Sequence, residues 1–258
     1  MSNSLPLFGS AVRWLVAVLA IPLTLVSVDD ACAKEAPPSH EVRQQLDGTW
    51  ALTENSTYRA WAACCDGPGT EVPFTPAYRK IRDDFANIPA DKKPTPNNLA
   101  HCITPGVPGT FEHPLLFEFL LTAGRVNLIY ADGSFRRIWT DGRSFPATLT
   151  PGLQGYSIGH WKDNTLTVET RGISTKSDMF IEGEIKVTNK TKVTERIIVE
   201  SSQSLRIQTT VEDPVIFTRP YSYENLFTKV PISFDVSCVL DNRDTGNKVD
   251  LTPPADED

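Results

Sequence analysis

Gly155-Tyr156-Ser157-Ile158-Gly159-His160-Trp161 carries the G-x-S-x-G spacing that lifts a nucleophilic serine above a sheet in serine hydrolases. That chemistry needs a strand, a sharp turn and then a helix, with an acid and a histidine further along the chain. Here the segment runs on through Lys162-Asp163-Asn164, a turn, into the strand-like Thr165–Thr170, and no helix follows. His40, His101 and His113 all precede the serine. His160 follows it, but in an extended segment positions 157 and 160 point to opposite faces. The spacing is therefore read as strand glycines at bends or bulges, not as a nucleophile elbow.

A second set of residues has chemical potential. Glu118 lies between Phe117 and Phe119, and Arg137 lies within Phe135-Arg136-Arg137-Ile138-Trp139. Alternation places Phe135, Arg137 and Trp139 on one face, taken as the dry one. A buried arginine needs an acid, and Glu118, Glu169 and Asp141 are the candidates. The functional reading is a polar cluster inside a cavity, with Glu118, Arg137 and His160 as catalytic groups. Tyr130, Trp139, Asp141, Arg143, Trp161 and Glu169 would then contact the ligand. The structural alternative is a buried ion pair surrounded by ordinary core aromatics. His101, Cys102 and His113 lack a metal-ligand spacing, so no metal is expected. With no nucleotide-binding loop or haem-attachment motif, no cofactor is expected either.

The elements that must position these groups are mostly strands. Residues 34–110 are broken repeatedly by proline, with a short strand at Thr49–Thr53 and one helix over Pro76–Phe85 behind Thr75. From Phe111 the pattern changes to alternating strands at 115–121, 126–130, 135–140, 155–161, 165–170, 192–200 and 205–211. Tight turns such as Ala131-Asp132-Gly133-Ser134 separate them. The fold class is all-β. The expected architecture is an antiparallel up-and-down meander in residues 111–258 that closes into a barrel, with 34–110 wrapped against it as one unit. A two-sheet sandwich is the alternative, with Pro151–Gly155 and 172–190 crossing between sheets.

Arg13 is the only charged residue before Asp29, and an apolar run from Trp14 to Val26 follows it. Ala31-Cys32-Ala33 then gives a small-x-small site. This is the layout of a secretory signal peptide over residues 1–33, and Pro22 and the shortness of the run argue against a membrane anchor. The expected location is periplasmic or secreted, with no membrane association after cleavage. The 258-residue chain has a net charge of −7 and lacks a basic run, so no nucleic-acid partner is expected. An exported chain favours disulfides among Cys64, Cys65, Cys102 and Cys238. Three pairings stay open, of which Cys102–Cys238 is the preferred one, and the alternative is that Cys64 and Cys65 are free or joined to each other.

Several stretches occur in a characteristic order: Cys102-Ile103-Thr104-Pro105-Gly106-Val107-Pro108, Phe117-Glu118-Phe119, Arg136–Arg143, Ser157–Trp161, Asn164–Gly172 and Val211–Pro220. Over roughly residues 46–243 this order resembles a large family of uncharacterised exported β-rich proteins of Gram-negative bacteria. The resemblance implies a periplasmic β protein and no particular reaction. Many relatives carry Glu and His where this chain has Ala131–Ser134, and Met or His near Gly183. Any activity that depends on those groups does not carry over. Leu46-Asp47-Gly48-Thr49-Trp50 also contains the G-x-W of lipocalin-like barrels, an analogy only. The leading expectation is a barrel that binds a small, partly apolar molecule as ligand or substrate. The alternatives are a cofactor-independent lyase, isomerase or hydrolase, and an envelope interaction module.

Overall fold

From Phe117 to Phe227, buried and solvent-facing residues alternate along nearly every strand, so each strand has one dry face. The computed structural model describes residues 37–53, 72–92, 103–179 and 185–234. The expected signal segment, His101, all five cysteines and Gly183 lie outside the described residues. The strands are β1 (Thr49–Leu52), β2 (Phe117–Thr122), β3 (Arg125–Tyr130), β4 (Phe135–Trp139), β5 (Tyr156–Lys162), β6 (Thr165–Arg171), β7 (Lys192–Val199), β8 (Ser204–Glu212) and β9 (Tyr221–Val230). They follow one another round a closed barrel, as the meander predicts, and there is no second sheet among the described residues.

Three features differ from the expectation. First, β1 is a full wall strand between β2 and β9, so the N-terminal segment contributes a strand to the barrel. Second, β4 and β5 run parallel and share only two residue pairs, Ile138↔Ser157 and Trp139↔Ile158. Third, β9 is a ten-residue strand that the sequence reading left out. The remaining neighbours are antiparallel, and β7–β8 and β8–β9 each pair over eight positions.

The turns follow local chemistry. Gly124 (φ +73°) and Gly133 (φ +84°) supply the left-handed positions of the β2–β3 and β3–β4 hairpins. Asp132 Oδ1 accepts a hydrogen bond from the Ser134 amide at 2.8 Å, fixing the second of these turns.

Helix α1 (His40–Leu46) is capped by Ser39, whose hydroxyl accepts from the Val42 amide. It buries Val42 and Leu46 in the core beside Trp50, Leu121, Trp161, Ile197 and Val199. Trp50 is fully buried and its indole donates to the Leu46 carbonyl at 3.0 Å, tying the helix to β1. Phe111, Phe117, Tyr130 and Phe227 pack edge-on or tilted through the middle of this core, at centroid distances of 5.2–6.2 Å. A second cluster unites Val107, Met179, Ile185, Val187, Ile216 and Phe217 with Val193 and Val211 of the barrel. The described residues of the weakly patterned stretch after Arg171 therefore belong to a loop layer packed on the barrel and do not cross between sheets. The expected helix after Thr75 forms as α2 (Pro76–Ala86), although the Thr75 hydroxyl donates to the Val215 carbonyl and does not cap it.

His113 lies beside this loop layer and is 2% exposed. Burial, reinforced by the charge of Lys186, lowers its pKa to about 4. The folded protein thus holds it neutral, while the unfolded chain protonates it below its ordinary value. The resulting stability is fully present above pH 6.5, is lost as pH falls toward 4, and levels off below that. The loss on acidification is about 3 kcal/mol. Urea unfolding of wild type and His113→Gln at pH 7 and pH 4 tests this. The variant is expected to lose much less stability over the interval, and equal losses in both proteins would refute the assignment.

Candidate functional site

β4 places its residues opposite to the sequence expectation. Arg136 and Ile138 point inward and are buried, whereas Phe135 and Arg137 are exposed and Trp139 is half-exposed. The cause is register. Leu128 pairs with Arg136 and Val126 with Ile138, so the inward side of β3 fixes the inward side of β4. The outer aromatics are covered by arginines instead of protein core. The Arg137 guanidinium lies 5.6 Å from the Phe135 ring and 5.3 Å from the Trp139 ring, and that of Arg143 lies 3.5 Å from Trp139.

Inside the barrel, Arg136 meets the buried carboxylate of Glu195 through two guanidinium nitrogens, one at 3.0 Å and the other closer. The same guanidinium donates to Thr170 Oγ1 at 3.0 Å and to Ser157 Oγ at 3.3 Å, and the two hydroxyls are 2.9 Å apart. Burial alone would lower the pKa of Arg136, but Glu195 more than offsets this and holds it above its ordinary value. Burial likewise raises the Tyr130 phenol. Ser157 thus belongs to an ion-pair network, and its bonded side chains, Arg136 and Thr170, are not bases. His160 points outward and is exposed. The two residues face opposite sides of β5, as alternation requires.

Glu118, Arg137 and His160 lie on three different strands and all point away from the interior, so they form no shared internal cluster. Glu118 is half-buried and accepts from Thr49 Oγ1 at 2.7 Å. Glu169 is also on the outer wall, paired with Arg171. Of the other expected contacts, Tyr130 and Trp161 point inward. Asp141 and Arg143 lie at the rim, where Arg143 Nε lies 2.8 and 3.0 Å from the two Asp141 oxygens and a second guanidinium nitrogen reaches Oδ2. These bonds lower the Asp141 pKa.

A cleft of about 240 Å³ opens at this rim. β4 stops at Trp139 and its parallel pairing is short, so Gly159–Lys162 of β5 run past it. The inward Trp161 therefore has Thr140 and Asp141 beside it on the cleft wall instead of a strand. Gly159 lets the walls close just below. A Cβ there would lie 2.7 Å from Ile138 Cγ2 and 2.9 Å from Leu166 Cδ1. The Thr140 amide donates to the Gly124 carbonyl at 2.9 Å, binding the β2–β3 hairpin to the rim. Leu121, Val126 and Trp161 form an apolar floor, Arg125, Thr140 and Asp141 a polar rim, and Pro37, Pro38 and Arg43 the side beside α1.

This cleft joins the inward side chains of Leu121, Val126 and Trp161 to solvent, and the comparisons with known proteins assign it nothing. No protein-family model matches this chain. No curated protein matches it either. Among solved structures, the crystal structure of zebrafish ileal bile acid-binding protein complexed with cholic acid matches at 11% identity and a TM-score of 0.31. That match covers 72% of this chain and 99% of the other. A likeness of this size carries no argument about ligand or activity.

Sequence reasoning found Trp161 and Asp141 but missed Leu121, Val126, Arg125 and Arg43 as cleft residues. Leu121 and Val126 face each other across the β2–β3 hairpin, a relation the Gly124 turn could have disclosed. The placement of Arg43 depends on α1, whose Ser39 cap and Val42/Leu46 spacing were its available signals.

Proposed function

We propose that this protein is exported to the periplasm and binds a small, partly apolar molecule in the cleft between α1 and the barrel rim. The observation that carries the binding reading is the pairing of an apolar floor, Leu121, Val126 and Trp161, with a polar rim at the same opening. At about 240 Å³ the cleft is smaller than most sites for drug-sized molecules, so the ligand is correspondingly small. The layout of residues 1–33 and the motif order shared with exported Gram-negative proteins support export. The enzyme alternative is weakened because its proposed acid, base and cation all lie on the outer wall.

Saturable fluorescence enhancement of the uncharged dye 1-aminoanthracene is the direct test. Trp161→Ala and Leu121→Glu are expected to weaken dye binding at least tenfold, about the effect of removing one good apolar contact. Leu120→Glu, on the adjacent but outward residue (49% exposed), is expected to leave binding unchanged. Non-saturable binding, or equal effects of the Leu120 and Leu121 variants, would reject the cleft as the site.

A further inference from the structure

The cleft also carries a charge selection. Of the charged side chains that line it, Arg43 and Arg125 are cationic and Asp141 is anionic. Asp141 is already satisfied by Arg143, which grips both of its oxygens and donates its own amide as well. Its charge is therefore compensated from outside the cleft.

The two lining arginines are held differently. Arg125 is positioned by its Nε, which donates to Thr122 Oγ1 at 3.0 Å, and Arg43 by its Nε, which donates to the Pro38 carbonyl at 3.3 Å. Each guanidinium is thus oriented through one nitrogen by a neutral acceptor of its own segment. Among the described residues neither meets a carboxylate. The terminal nitrogens, the pair that forms a two-pronged contact with an oxyanion, remain available to a ligand. Both residues are half-buried, which reduces the solvent screening of their charge.

Resting on the cleft as the binding site, we infer that its ligand is a small amphiphile with a single anionic end, held by Arg43 and Arg125 while its apolar body lies on Leu121, Val126 and Trp161. A carboxylate, a sulfate or a phosphate monoester presents the oxygen pair that a guanidinium fork accepts. The chain as a whole is acidic, with a net charge of −7, so general attraction of anions does not supply this preference. It has to come from the two arginines that line the cleft.

Displacement of bound 1-aminoanthracene by octanoate, 1-octanol and octyltrimethylammonium tests the inference on the purified chain. Octanoate is expected to compete about tenfold or more better than octanol, the effect of one charge-assisted hydrogen bond. The ammonium compound is expected to be the weakest. Arg43→Gln and Arg125→Gln should each weaken octanoate far more than octanol and so remove most of the octanoate advantage, and a far-UV circular dichroism spectrum and urea midpoint like those of wild type show that each variant is folded. If the dye binds but octanoate has no advantage over octanol, or keeps it in both variants, the charge selection is refuted and the cleft reading survives. If neither the dye nor any of the three chains binds, the cleft reading fails and this inference with it.

Discussion

Replacing Glu195 with alanine is expected to lower the unfolding free energy by about 3–5 kcal/mol, the cost of leaving a buried charge without its partner. A domain of this kind has roughly 5–15 kcal/mol in total, so the variant will be marginal. Arg136 is 1% exposed and cannot turn to water. Thr170 and Ser157 supply hydrogen bonds but no negative charge. Arg137→Ala, one residue away on the outer wall, is expected to change stability by no more than about 0.5 kcal/mol. The double variant Arg136→Met/Glu195→Leu should recover most of the loss, because removing both charges removes the desolvation problem itself. Urea midpoints of the four proteins measure all three expectations. Equal midpoints for Glu195→Ala and Arg137→Ala would overturn the buried Arg136–Glu195 pair and with it the assignment of β4's inward face.

The second large effect is expected at Trp50. Trp50→Ala should cost about 3–5 kcal/mol from lost burial and the cavity left behind. Trp50→Phe keeps most of the apolar volume and loses chiefly the hydrogen bond to Leu46, about 1 kcal/mol. The indole also lies 5.1 Å from the Lys229 ammonium, itself bonded to the Gln45 carbonyl at the end of α1. Trp50 is thus the post to which both ends of the α1–β1 connection are fixed. Because Arg43 reaches the cleft from α1, Trp50→Ala is also expected to weaken 1-aminoanthracene binding, whereas Trp50→Phe retains it. Thermal unfolding and dye titration on the same preparations separate the two effects.

The hairpins were legible because turn chemistry and alternation agree there. Asp132-Gly133 and Lys162-Asp163-Asn164 lie between strands whose apolar residues recur at every second position. β4 was misread because Phe135 and Trp139 look like core residues, and single-strand alternation cannot reveal that Glu195, three strands on in sequence order, waits for Arg136. β9 was missed for a related reason. Asn225 points inward and donates to the Phe111 carbonyl at 3.0 Å, while Leu226 is on the other face. Polar residues buried by long-range bonds erase the period that betrays a strand. The cleft itself leaves no local trace, because it depends on how far two parallel strands overlap.

That overlap has a cause in counting. A ring with an odd number of members cannot alternate direction all the way round, so nine strands oblige at least one neighbouring pair to point the same way. Strict alternation along the chain would put the offending pair where the first and last strands meet. This protein instead closes β1 on β9 in opposite senses over four positions and moves the mismatch between β4 and β5. The parity fault thereby comes to lie beside Trp161, and the one break in the weave that arithmetic demands falls where the cleft opens.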